Sequence, residues 1–265
     1  MRRTVSLILT LALLACAAPI AAAEGTGNYT DEMKIPYTVD LSPEDGADSV
    51  ERQGDHPDSP YFSRLDFYNM ASTDTLTILP KFKTQQQTSE WSCGVSSALM
   101  VLNYYDKLGE NNEETLAKHR SVGLTSGKGA DEPSSTSLKQ MIDIFDGVGG
   151  FELVSSFDYA DDDALVEAFT LEAVQAYLKE GTPVMIGWND WGGHWQVIIG
   201  YDTMGTETQQ DDVVIVADPY DTTDHNQDGY GVYPAERFIY NFTFYNFFND
   251  EDGNLMRFLV AKPAA

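Results

Sequence analysis

The chain has 265 residues, 42% hydrophobic and 12% aromatic, enough to bury one core of ordinary domain size with extensions left over. Its 16 Lys and Arg stand against 42 Asp and Glu, a formal charge of -26 that repels phosphate backbones and anionic lipid surfaces and so excludes nucleic acid as a partner. The same charge favours cationic or neutral peptides over acidic ones, without choosing among folds.

The amino terminus has the layout of an export signal: Arg2-Arg3, an apolar run from Val5 to Ala15, then Ala21-Ala22-Ala23 ahead of Glu24. Cleavage there makes 1–23 a signal peptide and the protein an exported one, periplasmic or extracellular. Leu13-Leu14-Ala15-Cys16 supports a competing reading, a lipoprotein signal in which Cys16 carries a lipid anchor. The apolar run falls short of the ~20 residues a spanning helix needs, and no other segment is long enough, so no transmembrane domain is expected. From Glu24 to Ser72 the chain is rich in Asp, Glu, Gly, Ser and Pro, an acidic arm of low order. The aromatic patch in it, Tyr61, Phe62, Phe67 and Tyr68, is suited to docking on the main domain, which takes up 73–265.

That domain opens near Thr75, where T-L-T-I-L-P reads as a short strand, followed by the polar loop K-F-K-T-Q-Q-Q-T-S-E-W. Val95, Ala98, Leu99, Leu102 and Tyr105 fall at helical spacing, which predicts a helix that starts at Ser92 or Cys93 and is closed by Asp106 to Gly109. Further helices are predicted at N-E-E-T-L-A-K-H, at S-S-T-S-L-K-Q-M-I-D-I-F-D and at T-L-E-A-V-Q-A-Y-L-K-E-G. The second half turns to strands: P-V-M-I-G-W, H-W-Q-V-I-I-G-Y-D, D-V-V-I-V-A-D-P and M-R-F-L-V-A-K-P. Helices followed by neighbouring strands predict an α+β domain, with a helical lobe packed on an antiparallel β-sheet lobe.

Cysteine usage directs attention to one residue. Exported proteins usually pair their thiols, yet this chain has only Cys16, in the export signal, and Cys93. A thiol left over in this way is either a small buried core residue or one kept for its reactivity. The start of a helix favours a thiolate through its unpaired backbone N–H groups, and Gly94 leaves the backbone bare where a substrate carbonyl has to approach. His194 follows Gly192-Gly193 and opens the apolar strand Trp195 to Tyr201, so its imidazole sits at a strand end that can overlook a cleft. The remaining histidines fit a base less well, with His56 in the acidic arm, His119 on a polar helix and His225 in a polar loop. Asp218 stands between the strand Val213 to Ala217 and Pro219, where a carboxylate can accept from an imidazole and fix its tautomer. An ordinary Asp-Pro turn is the alternative there, and Asp202 is the reserve candidate. Gln87 precedes Cys93 by six positions, close enough in the chain for its side-chain N–H and the Cys93 backbone N–H to form a two-donor oxyanion hole. Gln85 and Gln86 adjoin it and leave that assignment open.

Taken in chain order, the stretches Q-T-S-E-W-S-C-G-V-S-S-A-L-M-V-L-N-Y-Y, G-G-H-W-Q-V-I-I-G-Y-D and V-I-V-A-D-P-Y-D resemble family thirty-nine of the cysteine peptidases and its stand-alone relatives. That family includes the bacteriocin-processing peptidases that cut after double-glycine leaders. The resemblance covers roughly Thr75 to Lys262. It implies a papain-like cysteine peptidase fold with Cys93 as nucleophile, His194 as general base, Asp218 as its orienter and Gln87 in the oxyanion hole, acting on a peptide or protein substrate with no cofactor required. Two departures stand out: Ser92 occupies the position where many relatives carry an acid, and the loop between the His and Asp strands is long. The stretch carries none of the membrane-spanning or nucleotide-binding parts of the transporter-linked members, so a stand-alone hydrolase is expected rather than a leader peptidase coupled to export.

One motif lies outside this scheme. Asp224-His225-Asn226-Gln227-Asp228-Gly229-Tyr230 matches the first half of an oxygen-ligand calcium loop, with Asp224, Asn226 and Asp228 as ligands. The twelfth position is Ala235, and Glu236 misses it by one, so Asp221 or Glu236 has to complete an irregular site; an acidic turn without metal is the alternative. Two rival functions follow. One is an acyltransferase or transpeptidase on the same fold, and the other a non-catalytic, calcium-stabilised surface binding protein.

Overall fold

The computed structural model describes residues 65–89, 91–121, 135–190, 193–221, 228–244 and 257–264. The predicted signal peptide, most of the acidic arm, Cys16, Asp224 and Asn226 lie outside them.

Runs rich in β-branched and aromatic residues, with few polar positions, suit strands covered on both faces. Four such runs form the middle of the sheet: β3 (Val184–Trp188), β4 (His194–Asp202), β5 (Val213–Ala217) and β7 (Arg257–Pro263), all buried over most of their length. Two strands with weaker patterns, β2 (Phe151–Ser155) and β6 (Tyr230–Pro234), close the two edges, giving the order β2-β7-β3-β4-β5-β6. All these pairings are antiparallel. The short β1 (Leu76–Ile78) pairs with the far end of β4, with Ile78 opposite Gly200.

Among the described residues, six α-helices accompany the sheet: α1 (Cys93–Tyr104), α2 (Glu113–Ala117), α3 (Leu138–Val148), α4 (Asp162–Ala168), α5 (Leu171–Lys179) and α6 (Ala235–Phe244). Residues Cys93 through Leu102 of α1 are all buried, so this helix is enclosed rather than amphipathic. Ser137 and Gln140 form a reciprocal capping box at the start of α3. Gly149 ends that helix with φ of 76°, a left-handed conformation that costs any other residue more. The α+β architecture predicted from the order of helices and strands is the one found.

The sequence patterns missed α4, α6, β2 and β6. At seven residues, α4 is too short for periodicity to register, and its start rests on a local cap in which Asp161 accepts from the Ala164 N–H at 2.9 Å. In α6, Phe238 and Phe242 turn inward to meet Trp188 and Phe169 at ring separations of 5.1 Å, contacts across 50 and 73 residues of chain that local spacing does not reveal. Within the aromatic patch of the arm, Phe67 is buried and its ring lies 5.5 Å from that of Tyr230, so the described end of the arm packs on the domain.

Candidate active site

Cys93 is the first residue of α1 and is 6% exposed. The turn before it is pinned locally. Ser92 Oγ donates to Ser89 O at 2.9 Å, while the Ser89 N–H donates to Ser92 Oγ at 3.2 Å. Gly94 does not serve the purpose the sequence suggested. A Cβ built there would lie 2.6 Å from Thr136 Cβ, so the missing side chain makes room for Thr136 rather than for a substrate carbonyl.

His194 and Asp218 meet through strand register. In β4, residues 194 and 196 project to the same face, because side chains alternate along a strand. Val197 pairs with Ala217, so one further step sets Asp218 across from Gln196 and diagonal to His194. His194 Nε2 and Asp218 Oδ1 are 2.6 Å apart, with both residues buried. Asp218 Oδ1 also accepts from the Tyr220 N–H at 2.7 Å, and Oδ2 accepts from Gln196 Nε2 at 2.8 Å. The Tyr220 ring stands edge-on to the imidazole at 6.4 Å.

The electrostatics of this pair follow from its burial. Desolvation works to lower the pKa of the His194 ring, but the adjoining Asp218 carboxylate and its hydrogen bond outweigh that, and Cys93 adds in the same direction, so the ring is pushed up to about 10. Burial works to raise the Asp218 carboxyl. It is outweighed by the His194 charge and by bonds from His194, the Tyr220 N–H and Gln196, which hold the carboxyl below the ordinary carboxylate range. Both shifts favour an imidazolium donating from Nε2 to a carboxylate. Cys93 therefore lies near the ring.

Gln87 is buried in the loop before α1. Its N–H donates to Pro219 O at 2.8 Å, tying this loop to the residue after Asp218, and its side-chain Nε2 donates to Ser89 O at 2.8 Å. Gln85 is turned toward Glu113, with Nε2 to Oε1 at 3.5 Å, and its N–H donates to Met100 Sδ at 3.2 Å. Gln86 is likewise buried, and its Nε2 meets no acceptor among the described residues.

Several residues around the site carried no motif. Gln196 is buried within an otherwise apolar strand, two residues beyond His194, and its Oε1 accepts from Trp188 Nε1 at 2.7 Å. Its Nε2 lies within bonding distance of Asp190 Oδ2 and Tyr233 Oη as well as Asp218, at 3.0 and 3.2 Å. A glutamine in an apolar run is itself a sequence signal, because a buried amide has to find partners. Trp195 Nε1 donates to Thr136 O at 2.7 Å, and Ser97 Oγ donates to Trp195 O at 3.2 Å, joining the nucleophile helix to the strand of the base.

Asp202, the reserve orienter, lies at the opposite end of β4 from His194, about 26 Å away at the usual strand rise, where it accepts from the Met204 N–H in a turn. His119 is exposed and packs on Gly147. His56 and His225 lie outside the described residues. In the candidate calcium loop, Asp228 Oδ1 accepts from the Tyr230 N–H at 3.1 Å, and Asp221 Oδ2 accepts from the Gly229 N–H at 2.8 Å. No group of three or more His, Cys, Asp or Glu suited to a metal ion occurs among the described residues.

An antiparallel sheet facing a buried helix that begins with cysteine, with histidine on a strand, defines an α+β protein of papain-like cysteine-peptidase type. Residues 79–246 match the model of the Peptidase_C39 like family, well over half of the chain, and the protein belongs to that family. No curated protein matches the chain. Membership makes it a protein of cysteine-peptidase kind with a peptide or protein as the implied substrate. No helix among the described residues is long and apolar enough to cross a membrane.

Proposed function

We propose that the protein is an exported peptidase that hydrolyses peptide bonds through Cys93, His194 and Asp218, with Gln87 as a side-chain donor to the oxyanion. The observation that carries this reading is the buried His194 ring bonded through Nε2 to Asp218 at 2.6 Å, with Cys93 near enough to act on its charge. The thiolate attacks the scissile carbonyl carbon, forming a C–S bond as the π electrons move to oxygen. The backbone N–H of Cys93 and the side chain of Gln87 donate to that oxygen. The intermediate collapses, the C–N bond breaks, and the imidazolium gives its proton to the leaving amine. Water then adds to the thioester as His194 takes its proton, the C–S bond breaks, and the carboxyl product leaves. Asp218 holds the ring in the tautomer and orientation both halves need.

The test is hydrolysis of a broad fluorogenic peptide library. Cleavage by the wild type that Cys93→Ala abolishes is the expected outcome, and cleavage unchanged in Cys93→Ala would overturn the mechanism. Product masses separate hydrolysis, which gives two fragments, from acyl transfer, which gives a joined product. The export proposal rests on the amino-terminal pattern, and a mature protein beginning at Glu24 or at a lipidated Cys16 is the expected mass-spectrometric result.

A further inference from the structure

Glu113, the first residue of α2, is the most deeply buried carboxyl among the described residues: it is 0% exposed, and no Lys, Arg or His among them pairs with it. Burying an acid without a counter-ion is costly unless hydrogen bonds replace its hydration. Here they do. Oε1 accepts from the Thr88 N–H at 3.1 Å and from Ser96 Oγ, and lies 3.3 Å from Ser92 Oγ and 3.5 Å from Gln85 Nε2, while Oε2 accepts from Thr88 Oγ1.

These partners form a pattern in the chain. Gln85 and Thr88 bracket Gln87, and Ser92 and Ser96 bracket Cys93. Both groups proposed to donate to the oxyanion, the Gln87 side chain and the Cys93 N–H, therefore belong to segments gripped by one carboxyl from a separate helix. We infer that Glu113 is a positioning residue that sets the Gln87 loop against the start of the Cys93 helix and so fixes the spacing of the two oxyanion donors. The inference rests on the peptidase reading above. Burial pushes the Glu113 carboxyl above its ordinary range, and the bonds from Ser96, Thr88 and Ser92 oppose that rise, so the clamp depends on the loop as much as the loop depends on the clamp.

The role requires two acceptor oxygens rather than mere bulk. Glu113→Gln keeps shape and volume but replaces one oxygen with an NH2 group, which confronts the Thr88 or Ser96 donors and loosens one side of the clamp. Loss of an oxyanion donor lowers turnover while leaving ground-state binding nearly untouched.

The experiment compares the full chain as wild type, Glu113→Gln, Glu113→Asp and Gln87→Ala by two readouts. The first is kcat and KM on a peptide chosen from the library. The second is the rate at which iodoacetamide alkylates Cys93, a displacement at saturated carbon that needs no oxyanion hole. For Glu113→Gln we expect kcat to fall roughly tenfold or more with KM and alkylation within about twofold of wild type, and Glu113→Asp to recover part of the loss. Wild-type kcat in folded Glu113→Gln, or kcat and alkylation falling together, would overturn the inference. If Glu113→Gln does not fold, Thr88→Val removes one hydroxyl donor to the same carboxyl, and the same split is expected at smaller size; its absence there is equally fatal. An inactive wild type would remove the peptidase reading and this inference with it. A damaged Gln87→Ala beside an intact Glu113→Gln would remove this inference alone.

Discussion

Ser97 Oγ donates to Trp195 O at 3.2 Å, a bond that joins the helix one turn beyond Cys93 to the strand one residue beyond His194. The indole of the same Trp195 donates to Thr136 O, and Thr136 fills the space left by Gly94. The two halves of the site are thus fastened to each other immediately next to the reactive groups. Placement of this kind matters because a shift of about 1 Å can cost on the order of a hundredfold in rate.

Gly94→Ala is expected to destabilise the protein by about 1–3 kcal/mol, since the new methyl would sit 2.6 Å from Thr136 Cβ in a packed interior. The gain in helix propensity from Gly to Ala, roughly 1 kcal/mol, offsets only part of this. Removing the obstructing atom in Gly94→Ala/Thr136→Gly should recover some of the loss relative to the two single variants taken additively. Chemical denaturation of all three checks the coupling, and strict additivity would show that the contact is not the cause.

Asp218→Asn should reduce stability most in weakly acidic solution. The raised His194 pKa contributes stability that is fully present below 6.5 and is lost as pH climbs toward about 10. The lowered Asp218 pKa contributes stability that is present above 3.8 and is lost as pH falls through the folded value. The gap between wild type and variant is therefore widest between 3.8 and 6.5, on the order of 3 kcal/mol for a broken buried pair. Melting curves across pH 3 to 10 measure it as a roughly 6–12 °C difference that narrows at both extremes. A gap independent of pH would contradict the ion pair.

In kcat/KM, the alkaline limb should lie well above the 6.5 of an ordinary histidine, because the imidazolium that protonates the leaving amine persists as pH rises toward about 10. Asp218→Asn removes the carboxylate that sustains it and should bring the limb down toward neutrality. A pH–rate profile of both proteins decides, and identical limbs would separate Asp218 from the behaviour of the ring.

Gln87→Ala is expected to lower kcat by about 10²–10³ with little change in KM. Gln86→Ala, by contrast, should leave kcat within about threefold, as a neighbour without a role in the transition state. The reverse ranking would move the oxyanion donor to Gln86, whose Nε2 is buried without an acceptor among the described residues.

Some of this protein was legible in its sequence because the signals are local. Helix α1, the central strands and the strand-end positions of His194 and Asp218 follow from periodicity and from punctuation by glycine and proline, which act within a few residues. The edge strands β2 and β6 and the helix α6 were not legible, because their inward residues are chosen by aromatic partners elsewhere in the chain, as Phe151 by Tyr105 and Tyr233 by Trp188. The role of Gly94 was misread for the same reason. Its neighbour Thr136 is 42 positions away, and nothing beside Gly94 announces it.

By itself, then, the sequence determined which side chains are available for chemistry and on which local elements they ride: a thiol opening a helix, an imidazole opening a strand, a carboxylate closing the next. Only the tertiary structure decided that ring, carboxylate and thiol converge, that Gln196 and Trp188 brace Asp218, and that Glu113 grips the glutamine loop. The division has a physical origin. Backbone preference acts within a turn or a strand, whereas a buried charge or amide is satisfied by whichever partner the folded chain brings to it.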